Sequence, residues 1–399
     1  MSKLEELIEE LCPDGVKYAS IGSLITRVRE RGKEKRDIKQ VYVVSNTFGM
    51  VKAEEFRENT IHSEDTSNYT VIQPNMYAYN PSRLNIGSIA MLKDNNPGLV
   101  SPMYVVFSID EQKIMKEYFE YNIKSSFVRN KIEAFKEEGA RFRFDFNRWE
   151  WIQIAIPPLP IQHEIVQVLD NFMELTSELK SELTARKKQY EYYLNSLISY
   201  NNCAPMVSLE NIATEMYRGS GIKRDEISDD GNPCVRYGEI YTTYNIWFDK
   251  CVSRTHKGVK SFSHGDILFA ITGENVEDIG KSCAYLGEEK CYAGGDIVVM
   301  KHNQNPKYIA YALATIDSKQ QKGKGKVKSK VVHSSIPALM NISIPLPPQK
   351  EQERIVSILD RFDALCNDLT IGLPAEIEAR KKQYEYYRDK LLTFKEVKA

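Results

Sequence analysis

No apolar run in this sequence approaches the ~20 residues that a membrane-spanning helix needs. Cysteine is sparse and unpatterned. There are seven, with no Cys-x-x-Cys pair, as expected for free thiols in a reducing compartment rather than a disulfide framework. The six histidines fall at no metal-ligand spacing. Neither Gly-x-Ser-x-Gly nor His-Glu-x-x-His occurs, which removes the commonest hydrolase and zinc-protease signatures. An amino-methyltransferase tetrad (Asp or Asn, Pro, Pro, aromatic) is also missing, because Asn80-Pro81 runs into Ser82-Arg83. The stretch 273–282 looks like a phosphate loop, but Gly273 and Gly280 enclose six residues, too many for the backbone N–H groups to close around a phosphate. One sign of charge is not in excess either: 54 basic against 55 acidic residues leaves no field for nucleic acid over the whole molecule. The acidic, amphipathic N-terminus is the wrong chemistry for a signal peptide. A soluble, cytoplasmic chain with no active site, cofactor or metal of its own is expected, with no membrane partner.

What is present is written twice. Residues 185–193 read ARKKQYEYY, and residues 379–387 repeat the same nine letters. Upstream of each lies a proline-rich approach to an apolar-periodic run, IPPLPIQHEIVQVLD at 156–170 and LPPQKEQERIVSILD at 346–360. The approaches align at an offset of 190 and the nonapeptides at 194, so the second copy holds four extra residues between them. A fixed internal period of this kind marks a tandem duplication. The predicted divisions are a globular domain over 1–155, a long helix within 156–202, a second globular domain over 203–345 and a second long helix within 346–399.

Proline fixes φ and biases its predecessor away from the helix, so Pro157, Pro158 and Pro160 hold an extended approach. Behind it Ile165, Leu169, Phe172, Leu179, Leu183, Tyr190 and Tyr193 fall on a seam stepping by fours and threes, predicting a helix from Ile161 to Leu197. The second seam carries Ile355, Leu359, Phe362, Leu369, Tyr384 and Tyr387. Gly372 and Pro374 interrupt it and predict a local break. So narrow a stripe needs a partner, and each seam is the other's, which predicts an antiparallel pair. In the globular parts, helices are expected over 3–11, 111–136 and 308–318. Strands are expected at 41–45, 86–92, 103–109, 265–271 and 296–300, giving α+β domains rather than regular βαβ units. The start of the chain resembles the segment just beyond the first long helix, so the termini are expected to meet.

Basic clusters are the candidates for chemistry. Residues 320–330 carry Lys322, Lys324, Lys326, Lys328 and Lys330 with no acid among them. The first domain offers Arg27, Arg29, Arg31, Lys33 and Arg36, then Arg141, Arg143 and Arg148 interleaved with aromatics. Asn80 and Arg83 stand in a YNPSR turn, and Arg218, Lys223, Arg224 and Arg236 occur early in the second domain. Any one such cluster can be a solvated face, but clusters in both domains suit an extended polyanion. The seam tyrosines and the aromatics of 142–149 read as packing rather than recognition.

The paired Pro-Pro…Gln…Ile-Val…Leu-Asp runs (Pro157-Pro158, Gln162, Ile165-Val166, Leu169-Asp170; Pro347-Pro348, Gln352, Ile355-Val356, Leu359-Asp360), with the duplicated nonapeptide, resemble the DNA-specificity subunit of type I restriction–modification systems over essentially the full length. The resemblance implies two mixed α/β target-recognition domains at opposite ends of an antiparallel pair of coiled-coil helices, in a pseudo-twofold tandem repeat. Each domain would read one half of a bipartite double-stranded DNA site. The helices would set the spacing and dock two modification subunits, which bind S-adenosylmethionine and methylate adenine, and restriction subunits would complete the assembly. A rival reading, favoured by the near-neutral charge, is a coiled-coil adaptor whose two globular ends bind proteins.

Overall fold

The chain enters its first long helix through Pro157 and Pro158 and stays helical for 41 residues, Leu159–Ser199, about 60 Å at ~1.5 Å per residue. A computed structural model describes residues 3–35, 37–56, 65–136, 142–199, 204–324 and 331–397. The fold divides into one unit made of residues 1–178 with 377–399 and a second made of residues 179–376. Among the described residues no helix is long and apolar enough to cross a membrane.

In the first unit, two four-stranded sheets form. One runs in the order Ile25–Val28, Val105–Ile109, Tyr77–Tyr79, Ile89–Met91, and the other Gly49–Lys52, Val41–Ser45, Gly98–Val100, Thr70–Ile72. The second unit repeats both orders and lengthens each by a strand. Its first sheet is Ala213–Arg218, Ile297–His302, Ile267–Ala270, Ser282–Tyr285, Trp247–Phe248. Its second is Ile227–Ser228, Ser253–Thr255, Asn232–Val235, Cys291–Ala293, Ser261–Phe262. In both units the second sheet contains a parallel pair, Val41–Ser45 with Gly98–Val100 and Asn232–Val235 with Cys291–Ala293. The duplication seen in the helices therefore extends through mixed α/β domains whose sequences have diverged.

The repeated motif has a structural reason. Gln162 is fully buried; its amide donates to Pro157 O at 2.8 Å and Lys113 O at 3.0 Å, while its oxygen accepts from Met115 N at 2.8 Å. Gln352, equally buried, donates to Pro347 O at 2.8 Å and Gln304 Oε1 at 2.9 Å and accepts from Asn305 N at 3.1 Å. Each glutamine thus ties the proline approach to the start of a neighbouring short helix. The motif aspartate ties the same helix further on. Tyr121 donates to Asp170, and Tyr311 donates to Asp360 at 2.8 Å, where Lys307 adds an ion pair at 2.6 Å. Buried polar groups must be paired, and these two do the pairing.

The helix expected over 111–136 is instead two, Lys116–Lys124 and Ser126–Glu133. Ser125 leaves the helical conformation and its hydroxyl accepts from Val128 N at 3.2 Å, a side-chain N-cap that opens the second helix. The second unit does the same at Thr315, between Pro306–Ala314 and Ile316–Gly323.

Within the first unit Phe172 stacks on Tyr387 with centroids 5.5 Å apart. In the second, Tyr193 stacks on Phe362 at 5.1 Å, and Tyr190 and Lys187 lie beside Asp363 and Cys366. Residue numbers rise on one helix as they fall on the other, so this pairing is antiparallel. Ile165, Leu169, Ile355 and Leu359 are fully buried, whereas Leu179 and Leu183 are half-exposed. The second long helix stops at Asn367 and restarts at Leu373. Asp368 accepts from Thr370 N at 2.7 Å and Ile371 N at 3.2 Å, and a Cβ at Gly372 would sit 2.5 Å from Ala364 O. Only glycine fits there. Leu369 therefore leaves the seam: it is 80% exposed, because the chain has already turned out of the helix.

The termini meet within the first unit. Val16 N donates to Lys395 O at 2.8 Å and Val397 N to Val16 O at 3.1 Å. Gly15 makes this approach possible at φ +124°, where a Cβ would lie 2.4 Å from Lys395 O.

Candidate nucleic-acid interface

In the first unit three segments converge. Phe144 N donates to Pro81 O at 2.9 Å, lacing residues 142–146 to the 79–83 turn, and Tyr79 donates to Phe144 O at 3.3 Å. Arg27 reaches across from strand Ile25–Val28 to place its guanidinium 5.9 Å from the Phe146 ring centre. Burial raises the Tyr79 phenol, and positive charge on Arg27 and Arg143 opposes the rise. Phe144 and Trp149 are wholly buried, so the aromatics of this segment are mainly core.

The candidates divide by what already holds them. Arg27, Arg29, Lys33, Arg83 and Arg143 are exposed, Arg143 in a 3.3 Å pair with Asp145. Against the sequence expectation, Asn80 is buried and its side-chain oxygen accepts from Ser82 N at 3.0 Å, so it shapes the turn instead of facing outward. Arg31 is likewise spent on the fold, donating to Asn68 O at 2.8 Å and Thr70 Oγ1 at 3.3 Å. Arg36 and Arg141 lie outside the described residues.

In the second unit, Lys223, Arg224 and Arg236 line one open cleft of about 540 Å³ together with Gly221, Tyr237 and Glu239. The sequence separates these residues, and the fold brings them together. Arg218 is not part of that lining; its guanidinium pairs with Asp296 at 2.6 Å and donates to Gly295 O, two residues that are. Arg236 is held by Glu239, Nε to Oε1 at 3.1 Å. Sequence reasoning passed over Glu239, although an arginine and a glutamate three apart at the start of a short helix were a signal for it.

Lys324 is exposed at the end of helix Ile316–Gly323; Lys326, Lys328 and Lys330 lie outside the described residues. Lys322 corrects the expectation for this run. It is buried, and its ammonium nitrogen donates to Leu313 O at 2.8 Å and Ser282 Oγ at 3.3 Å. Burial pushes its pKa down to about 7. At the 190-residue offset its counterpart is Ile132, a core residue, which is why a lysine within a basic run faces inward.

The helices present a second surface. In the repeated nonapeptide Tyr190, Tyr193 and Tyr384 face the protein, Tyr387 is at the boundary, and Tyr192 and Tyr386 are 68% and 62% exposed. Lys187, Lys188, Lys381 and Lys382 are exposed as well. The two copies thus show solvent the same letters.

Residues 13–186 and 207–379 match the family described as the type I restriction modification DNA specificity domain. The specificity subunit of the type I restriction enzyme EcoR124I/EcoR124II from Escherichia coli is 30% identical over 314 residues, covering 74% of each chain. Among solved structures, a chain from work on complex assembly and conformational transition of the type I R-M system aligns with a TM-score of 0.67 at 17% identity, over 95% of this chain and 98% of that one. The HsdS subunit from Thermoanaerobacter tengcongensis aligns at 0.53 with 16% identity, over 96% and 99%. At such identities the structural match is one of fold.

Proposed function

Because this chain belongs to the family of type I restriction modification DNA specificity subunits, we propose that it reads a two-part double-stranded DNA site, one part with each mixed α/β unit. The observation that carries this is the repeated pair of sheets, kept in strand order while the sequences diverge, with exposed basic residues in both copies. A scaffold repeated with altered loops suits two different half-sites. Lysines and arginines would contact phosphates, and a few side chains would read base edges.

The chain acts as a recognition and scaffolding subunit without chemistry of its own in this reading. The identical solvent-facing residues of the two nonapeptides suit two copies of one partner, a modification subunit that would bring the S-adenosylmethionine. Restriction subunits would join the same assembly, in the cytoplasm.

The test is a gel-shift and methylation experiment with the purified chain alone and with its modification subunit. The expected result is salt-dependent binding to one bipartite sequence, with methylation only when both are present. Binding indifferent to DNA sequence would support the adaptor reading instead, and methylation by the contaminant-free chain alone would overturn the non-catalytic assignment.

A further inference from the structure

We propose that Arg236 reads a guanine in the half-site served by the second unit, and that the buried carboxylate of Glu239 is the residue that positions it. The inference rests on the proposed role in DNA recognition.

Glu239 is 7% exposed and tied at three points. Its Oε1 accepts from Arg236 Nε at 3.1 Å and Ser253 Oγ at 2.7 Å, and its Oε2 accepts from the Arg236 backbone N–H at 3.2 Å. One carboxylate therefore fixes both the backbone and the side chain of the same arginine. The arginine side chain keeps 35% exposure. Held through Nε, a guanidinium still has its two terminal nitrogens to offer a planar ligand with two acceptors. Guanine presents such a pair, O6 and N7, in the major groove.

Three other described arginines of these surfaces contrast with it. Arg218 is engaged by Asp296 and by Gly295 O, and Arg31 by Asn68 and Thr70. Arg143 and Asp145 form a pair with side chains 71% and 65% exposed, too loosely placed to choose between bases. A side chain that discriminates must be locked by a supporting shell, and Arg236 has one.

Its position in the fold agrees. Strand Val41–Ser45 runs through a tight hairpin into Gly49–Lys52, whereas the corresponding strand Asn232–Val235 runs into helix Tyr237–Thr242 and strand Trp247–Phe248 before pairing resumes at Ser253–Thr255. Arg236 opens this added segment, which the first domain lacks at the matching hairpin, and a segment present in one domain only suits a difference in target. Around it, exposed Lys223 and Arg224 on the same cleft suit the phosphate backbone, and a Cβ at Gly221 or Gly238 would meet nothing within 4 Å, so the rim is open to an approaching duplex.

The experiment sequences the methylated motif in cells carrying the complete complex with wild-type chain, R236Q, R236K or E239Q. With R236Q, one guanine position in one half-site should relax or turn toward adenine, the base glutamine pairs with, and discrimination there should fall roughly ten- to a hundredfold. The other half-site should not change. R236K keeps the charge and loses the fork, so it should relax the same position. E239Q keeps the arginine and weakens its hold, so it should relax the same guanine position less than R236Q does and leave the other half-site alone; a motif as sharp in E239Q as in wild type would remove Glu239 as the positioning residue. An unchanged motif in R236Q and R236K, or a uniform loss of methylation with no altered preference, would overturn the assignment. A motif indifferent to deletion of the wild-type chain would reject the DNA-recognition reading itself.

Discussion

Replacing Lys322 with methionine should stabilise the second unit. The lysine is enclosed, with its nitrogen on Leu313 O at 2.8 Å and Ser282 Oγ at 3.3 Å. Burial, with a smaller contribution from Lys319, moves its pKa from 10.5 to about 7. The unfolded chain returns it to water and its ordinary value. Between about pH 7 and 10.5 the unfolded state therefore holds a proton that the folded state does not, so stability rises with pH across that window and levels off below it. At about 1.4 kcal/mol per pKa unit, the cost of burying this group at pH 7 is on the order of 4 kcal/mol. The two hydrogen bonds return about 2 kcal/mol. Methionine, unbranched and of similar length, keeps the packing and removes the titration. Denaturant unfolding of the purified chain should show a gain of about 2 kcal/mol at pH 7 that vanishes near about pH 9 and reverses to a loss of about 1 kcal/mol at about pH 10, where the lost hydrogen bonds outweigh what remains of the burial cost. A variant less stable than wild type at pH 7, or one with the same pH slope, would refute the account.

Gln352→Leu should cost about 3 kcal/mol by stranding Asn305 N–H and Pro347 O in a buried site; an unshifted unfolding midpoint would mean the motif glutamine is dispensable. Replacing Lys324, Lys326 and Lys328 together with alanine should weaken specific and non-specific DNA binding alike and flatten the log–log salt slope by about 0.9 per lost phosphate contact. Equal affinity and slope would make the run a solvated face. A one-turn insertion between Thr176 and Leu183 adds about 6 Å of helix and should lengthen the spacer in the methylated motif by about one to two base pairs at ~3.4 Å each. A two-residue insertion should instead abolish assembly, since at ~100° per residue it turns the seam away, and retained activity at unchanged spacing would sink the ruler.

The helices were legible because their periodicity is long and their motif occurs twice. The reason for Gln162 and Gln352 was not, since their partners lie 47 residues away in the short helices. The break at Ser125 was missed because the apolar pattern runs on through it, and only the capping hydroxyl marks the boundary. Sheet order was invisible: strands of two to six residues pair across long separations, and no local signal specifies the partner. Lys322 misled in the opposite sense, since a lysine among lysines reads as surface until its helix is packed. The same non-locality hid the cleft, where residues near 221, 236 and 295 meet.

Val16 bonds to Lys395 and Val397, so the first unit closes only with residues made after the whole of the second unit. A ribosome emits residues 1–178, then the whole of the second unit, and only then 377–399. At about 5–20 residues per second the wait is roughly 10–40 s. Throughout it Phe172 lacks Tyr387, and Tyr121 lacks Tyr384, whose ring centre lies 6.4 Å from its own. The unit begun first is finished last. Chains truncated after residue 376 should therefore give a protease-resistant second unit beside a first unit still open to cleavage along its helix, and equal protection of both would show that the first unit closes without its final strap.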